Sequence, residues 1–149
     1  MKKNPHINEE DLVWGNHHTY MMAFDDIREF AEDDSRYRVI VAIQFNHKTS
    51  PEDVKKALEA DPDLRHSSVP TAACVRATYP WHNLVSYKTA PYYVYPAMEE
   101  YNKIHRPVQL TPRNVRVEKY DEPNGTIEYY YITDKAANDK LWSLMTIKP

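Results

Sequence analysis

"NVRVEKYDEPNGTIEYYYIT", Asn114 to Thr133, decides the fold. Two runs rich in valine, isoleucine and tyrosine flank "DEPNG". Asn-Gly between such runs is a strong hairpin signal, because the turn needs positive φ and glycine adopts it without a steric penalty. The stretch therefore predicts an antiparallel pair. In its second strand Tyr129 and Tyr131 share one face and Tyr130 takes the other, since side chains alternate along a strand. Cross-strand aromatic packing accounts for the tyrosine density there.

Working outward, "DKAANDKLWSLMTI" places Ala137, Leu141, Leu144 and Met145 at helical spacing behind an Asp134 cap. Upstream, "AACVRATY" (residues 72 to 79) reads as a strand. "PWHNLVSYKTAPYYVYPAMEEYNKIHRP" is interrupted by Pro80, Pro91, Pro96 and Pro107. It reads as broken pieces: a strand "LVSYKT" and a short helix "PAMEEYNKIH" opened by Pro96. "YRVIVAIQF", residues 37 to 45, is apolar on both faces through its middle, as a central strand would be. Ser50 caps a helix "PEDVKKALEA" that stops before Pro62, with Val54, Ala57 and Leu58 on its apolar face. "NHHTYMMAFDDIREFAEDDS" fits one long helix capped by Asn16. It also fits a strand "HHTYMMAF" followed by a short helix "DIREFAED" capped by Asp25. The alternation of Tyr20, Met22 and Phe24 favours the second reading.

The resulting order is β-α-β-α-β-β-α-β-β-α. It predicts an α+β fold: a mostly antiparallel sheet with helices packed on one face, and a ferredoxin-like core with additions as the best match. Residues 1 to 8 read as a flexible tail, and 9 to 149 as a single domain, which suits a chain of 149 residues.

Composition narrows the function. A net charge of −3 and a pI of about 6.1 argue against a wholesale electrostatic grip on duplex nucleic acid. With only Gly15 and Gly125, neither a phosphate loop nor a dinucleotide fingerprint can be written, so no cofactor is expected. One cysteine, Cys74, cannot form an internal disulfide and reads as a small buried hydrophobe in a reducing, cytoplasmic setting. No window is apolar for long enough to span a membrane, and "MKKNPHINEEDL" lacks the apolar core of a secretory signal. Metal binding is not expected: there is no Cys-x-x-Cys, and His17 and His18 face opposite ways on a strand.

Two constellations could carry chemistry. Histidine followed by a hydroxyl residue recurs at His17–Thr19, His47–Thr49 and His66–Ser68. On a strand, positions i and i+2 share a face, so an imidazole and a hydroxyl could converge on one phosphate oxygen. His17, Thr19, His47 and Thr49 are thus candidate catalytic residues of a metal-independent phosphodiesterase or nuclease. His47 stands beyond the carboxyl end of its strand, where ligands of mixed sheets often sit. A turn in which Ser50 simply caps the next helix explains the same residues.

The second constellation is aromatic. Tyr79, Trp81, His82, Tyr92, Tyr93 and Tyr95 are candidate ligand-binding residues, with Tyr87, Lys88 and Tyr101 among them. Such rings anchor protein interfaces and stack nucleobases; they also simply pack over sheets. Arg106, Arg113 and Arg116, with Lys103 and His105, make a small basic patch or an ordinary solvated face. The reading expected from all this is a small intracellular binding or accessory domain with a tyrosine- and histidine-rich face. Its partner would be another protein, a second copy, or a nucleotide or single-stranded nucleic acid. The phosphodiesterase and a structural subunit of a larger assembly are the alternatives.

Overall fold

The computed structural model describes residues 19–30, 37–44, 50–68, 71–105, 109–121 and 123–146. The hairpin is present: β4 (Arg116–Asp121) pairs antiparallel with β5 (Thr126–Ile132), from Arg116 opposite Tyr131 to Asp121 opposite Thr126. Gly125 takes φ 60°, in the left-handed region. A Cβ there would meet only the Trp81 carbonyl oxygen at 3.6 Å, so backbone conformation and not crowding makes glycine fit. Asp121 closes the turn by accepting from the Asn124 backbone at 3.3 Å and from its side chain at 2.9 Å.

The hairpin forms the middle of the sheet. β1 (Thr19–Ala23) pairs with the free side of β4, and β2 (Val39–Ile43) with β1. β3 (Cys74–Pro80) pairs with β5, giving the order β2-β1-β4-β5-β3 with every pair antiparallel. β3 and β4 consequently run the same way with β5 between them, while β1 and β2 pair directly.

Several sequence expectations need correction here. "YRVIVAIQF" is an edge strand, not a central one; Val41 is 67% exposed and Ile43 41%. β-branched content reports strand propensity, not position in a sheet. The central strand is β4, whose Arg116 and Glu118 are sunk beneath a helix. The segment 84–105 is also unbroken: a single helix, α2 (Leu84–His105), runs through Pro91 and Pro96. Each proline removes one backbone donor, at a cost of about 3 kcal/mol. Burial of Ala90, Pro91, Val94, Tyr95, Met98 and Asn102 along one stripe opposes that cost, at roughly 1.5–3 kcal/mol for each large apolar side chain. Asn83 starts the helix, its Oδ1 accepting from the Ser86 N–H at 3.0 Å.

The other helices follow their sequence signals. α1 (Pro51–Ala60) opens on the Ser50 cap, whose Oγ accepts from the Asp53 N–H at 3.1 Å. α3 (Lys135–Thr146) opens on Asp134, whose Oδ1 accepts from the Ala137 N–H at 2.7 Å. The expected helix after β1 is only a 3₁₀ turn at Ile27–Phe30 within the described residues. Its side-chain cap is Asp26, which accepts from the Arg28 N–H at 3.0 Å, while Asp25 instead holds Arg38.

Alternation divides the sheet into two faces. Val75, Tyr120, Ile127, Tyr129 and Tyr131 pack under α2 with Ala90, Val94, Tyr95 and Met98. Met22, Val117 and Ile132 pack with Ala137 and Leu141 of α3 on the opposite face. The one-face expectation therefore holds for α2 alone; α3 covers the other side. Among the described residues no helix is long and apolar enough to cross a membrane.

Candidate functional site

The antiparallel register fixes which backbone groups β3 leaves unpaired. The Thr133 N–H donates to the Ala73 carbonyl at 3.0 Å, and the Trp81 N–H to that of Gly125 at 2.8 Å. Ala73 and Trp81 thus point their hydrogen-bonding groups toward β5. By the two-residue period so do Val75, Ala77 and Tyr79. Cys74, Arg76 and Thr78 therefore point theirs outward, away from the sheet. Pro80 adds a carbonyl but has no N–H.

Beside this edge lies a tyrosine row. Tyr93, Ala97 and Tyr101 follow at i, i+4 and i+8 on α2, one above the next. Tyr93 is 67% exposed and Tyr101 52%, so neither ring is consumed by the core. The Tyr101 ring also lies 4.5 Å from that of His105. Between row and strand runs a groove of about 400 Å³, lined by the strand residues 75–79, by Tyr93, Ala97 and Tyr101, and at its base by Val94 and Met98. A smaller hollow of about 320 Å³ follows at Trp81, His82, Asn83 and Leu84, where β3 turns into α2.

On the sheet's other face, Arg76 and Lys119 share one carboxylate. Lys119 Nζ lies 2.9 Å from Glu128 Oε2, the Tyr130 hydroxyl donates to that oxygen at 2.8 Å, and Arg76 bonds Oε1. Burial alone would push the Glu128 carboxyl up, but these donors outweigh it and hold it at about 2.

A second polar cluster is closed inside the fold. Glu118, 2% exposed, accepts from the hydroxyls of Tyr95, at 2.6 Å, and Tyr120. Burial raises its carboxyl above the ordinary value despite those bonds. Arg116 Nε donates to the Tyr131 hydroxyl at 2.8 Å, which donates to Glu99 at 3.0 Å. Arg28 links Glu99 back to Asp26, and Asp26 lies 3.3 Å from Arg116 Nη2. The ring ties together the 3₁₀ turn, α2, β4 and β5.

The sequence candidates fall as follows. His17, His47 and Thr49 lie outside the described residues; Thr19 opens β1 opposite Ile43 and Tyr120. Tyr79 and Tyr93 line the groove, and Trp81 and His82 line the hollow. Tyr92 is exposed on α2, whereas Tyr95 stands inside the core at 1% exposure. Arg116 is not part of a surface patch, because it occupies a β4 position that faces α2; Arg106 lies outside the described residues. Sequence reasoning placed Tyr101 in the aromatic constellation but did not select Ala97, Arg76 or Thr78. The i+4 row was the available signal, hidden by reading Pro91 and Pro96 as breaks. Among the described residues no three His, Cys, Asp or Glu side chains converge as metal ligands. The chain matches no protein-family model, no curated protein and no solved structure.

Proposed function

We propose that this protein is a recognition module that takes an extended segment of a protein partner as an added strand on β3. One observation carries the reading: the outward N–H and C=O groups of Cys74, Arg76 and Thr78 lie beside an apolar groove walled by exposed tyrosines. Main-chain bonds to such an edge give affinity, and pockets for alternate side chains give selectivity. Tyrosine suits the wall, since it offers a large amphipathic ring with few torsions to freeze. A nucleic-acid strand fits less well. The chain carries a net charge of −3, which disfavours a phosphate backbone. A lone cysteine suits work in a reducing compartment such as the cytoplasm.

The test is selection of short random peptides on the immobilised protein, followed by amide chemical-shift mapping of a selected peptide. The expected result is shifts concentrated on Cys74 to Pro80, Tyr93 and Tyr101, with affinity reduced about tenfold by Tyr93→Ala or Tyr101→Ala. Shifts centred elsewhere, or binding of oligo-dT or oligo-U in place of peptides, would overturn the reading.

A further inference from the structure

We infer that the segment accepted by this edge alternates carboxylates with apolar or aromatic side chains, the carboxylate standing opposite Arg76; the inference rests on the strand-addition reading above. The alternation follows from the register. A strand added to β3 hydrogen-bonds at Cys74, Arg76 and Thr78. Residues opposite Val75, Ala77 and Tyr79 then fall on the α2 side, in the groove between strand and tyrosine row. Residues opposite Arg76 and Thr78 fall on the other face. There Arg76 lies 6.0 Å from the Tyr130 ring and shares the Glu128 carboxylate with Lys119.

Charge selects the occupant of that second face. The Arg76 side chain remains 56% exposed while bonded to Glu128, whose other oxygen is held by Lys119, so the cation on the edge strand stays open to a further carboxylate. A carboxylate directly across from Arg76 completes the pairing, whereas an ammonium there is repelled. A second copy of this chain supplies no such group, because β3 reads CVRATYP and contains no acidic residue. A two-fold pairing centred on Arg76 sets the two arginines opposite each other. A pairing centred on Ala77 sets Pro80, which lacks an N–H, against Cys74. The edge is therefore better matched to an acidic, alternating segment of another protein than to itself.

The experiment uses a blocked peptide of alternating phenylalanine and glutamate, with counterparts carrying glutamine or lysine in place of glutamate. Affinities are measured by fluorescence anisotropy at low and high salt. The acidic peptide is expected to bind tightest, by about 2- to 5-fold over glutamine for each carboxylate beside Arg76, with lysine weakest and the order compressed by salt. Arg76→Gln is expected to collapse the difference between acidic and glutamine peptides. Equal affinity for all three peptides overturns the charge selection and leaves strand addition standing. Binding of none of them, with sedimentation showing a dimer that Tyr93→Arg dissociates, overturns both and gives the edge to a second copy.

Discussion

The Tyr95 hydroxyl donates to the Glu118 carboxylate at 2.6 Å across the interface between α2 and the central strand. Both side chains are buried, and the Tyr95 ring meets those of Tyr129 and Tyr131 edge-on at 5.5 and 5.7 Å. Tyr95→Phe keeps the ring packing and deletes only the donor. The expected loss is about 1–3 kcal/mol, because a buried acceptor is left short of a bond. Urea denaturation measures it; an unchanged midpoint would show that this bond does not fasten the helix to the sheet.

Glu118 makes stability depend on pH with a definite sign. Burial raises its carboxyl above the ordinary value of 4.5, so as pH rises the unfolded chain releases this proton before the folded protein does. Stability from this group is complete below 4.5 and declines as pH rises through the folded value. Glu118→Gln cannot ionise, although it loses an acceptor for one of the two tyrosines. The wild type's advantage over Glu118→Gln is expected to be largest in acid and to shrink toward neutrality. Unfolding free energies across a pH series read this directly, and a difference that stays flat or grows with pH refutes the assignment.

Arg116 lies over the rings of Tyr131 and Tyr95, at 4.9 and 5.6 Å, as well as in the ionic ring with Asp26. Removing one partner of such a buried network is costlier than its net worth, because the opposite charge stays behind. Arg116→Met is expected to lose about 3–5 kcal/mol. Arg38→Met, whose arginine is half exposed and bonded to Asp25, is expected to lose about 1 kcal/mol or less. Thermal melts of the two variants should therefore separate widely; equal shifts would contradict the closed ring.

Local signals were legible wherever the chemistry was local. The Asn124–Gly125 turn, the Ser50 and Asp134 caps and the Ala137–Leu141 stripe each read correctly, since every one depends on residues within a turn of each other. Position in the sheet did not read. The valines and isoleucines of β2 promised a centre, while Arg116 on β4 promised a basic patch or a solvated face. The outcome reversed both, because a partner as distant in sequence as Asp26 pairs with the buried Arg116. The candidate site was half visible. Tyr79 and Tyr93 were picked out by composition. The free groups of Arg76 and Thr78 exist only because β3 ends the sheet, and in "CVRATYP" only Pro80, which has no N–H to give an outer neighbour, hints at that.

Gly125→Ala tests the turn that organises the sheet. The left-handed backbone costs a residue with a Cβ about 1–2 kcal/mol, and the 3.6 Å contact to the Trp81 carbonyl adds no clash. That loss is expected in denaturation, together with faster unfolding. Exchange protection should weaken first at the Trp81 N–H, which donates to Gly125 itself. Full stability in the variant would mean that the backbone relaxes out of φ 60° at no cost.

The two prolines of α2 separate helix chemistry from packing. Pro96 is exposed, so replacing it leaves no hole. Alanine there returns an N–H that can reach the Tyr92 carbonyl four residues back, relieving a penalty of about 3 kcal/mol. Proline also stiffens the unfolded chain, which offsets about 0.4–1 kcal/mol of that gain. Pro96→Ala is therefore expected to stabilise the protein by about 2 kcal/mol. Pro91 is buried against the sheet, and Pro91→Ala exchanges the same helix gain for lost contact and a small cavity, leaving a change near zero. Differential scanning calorimetry of the pair decides the matter. A Pro96→Ala variant that melts lower than wild type would show that α2 takes its shape from the prolines instead of enduring them, and the tyrosine row would then depend on them too.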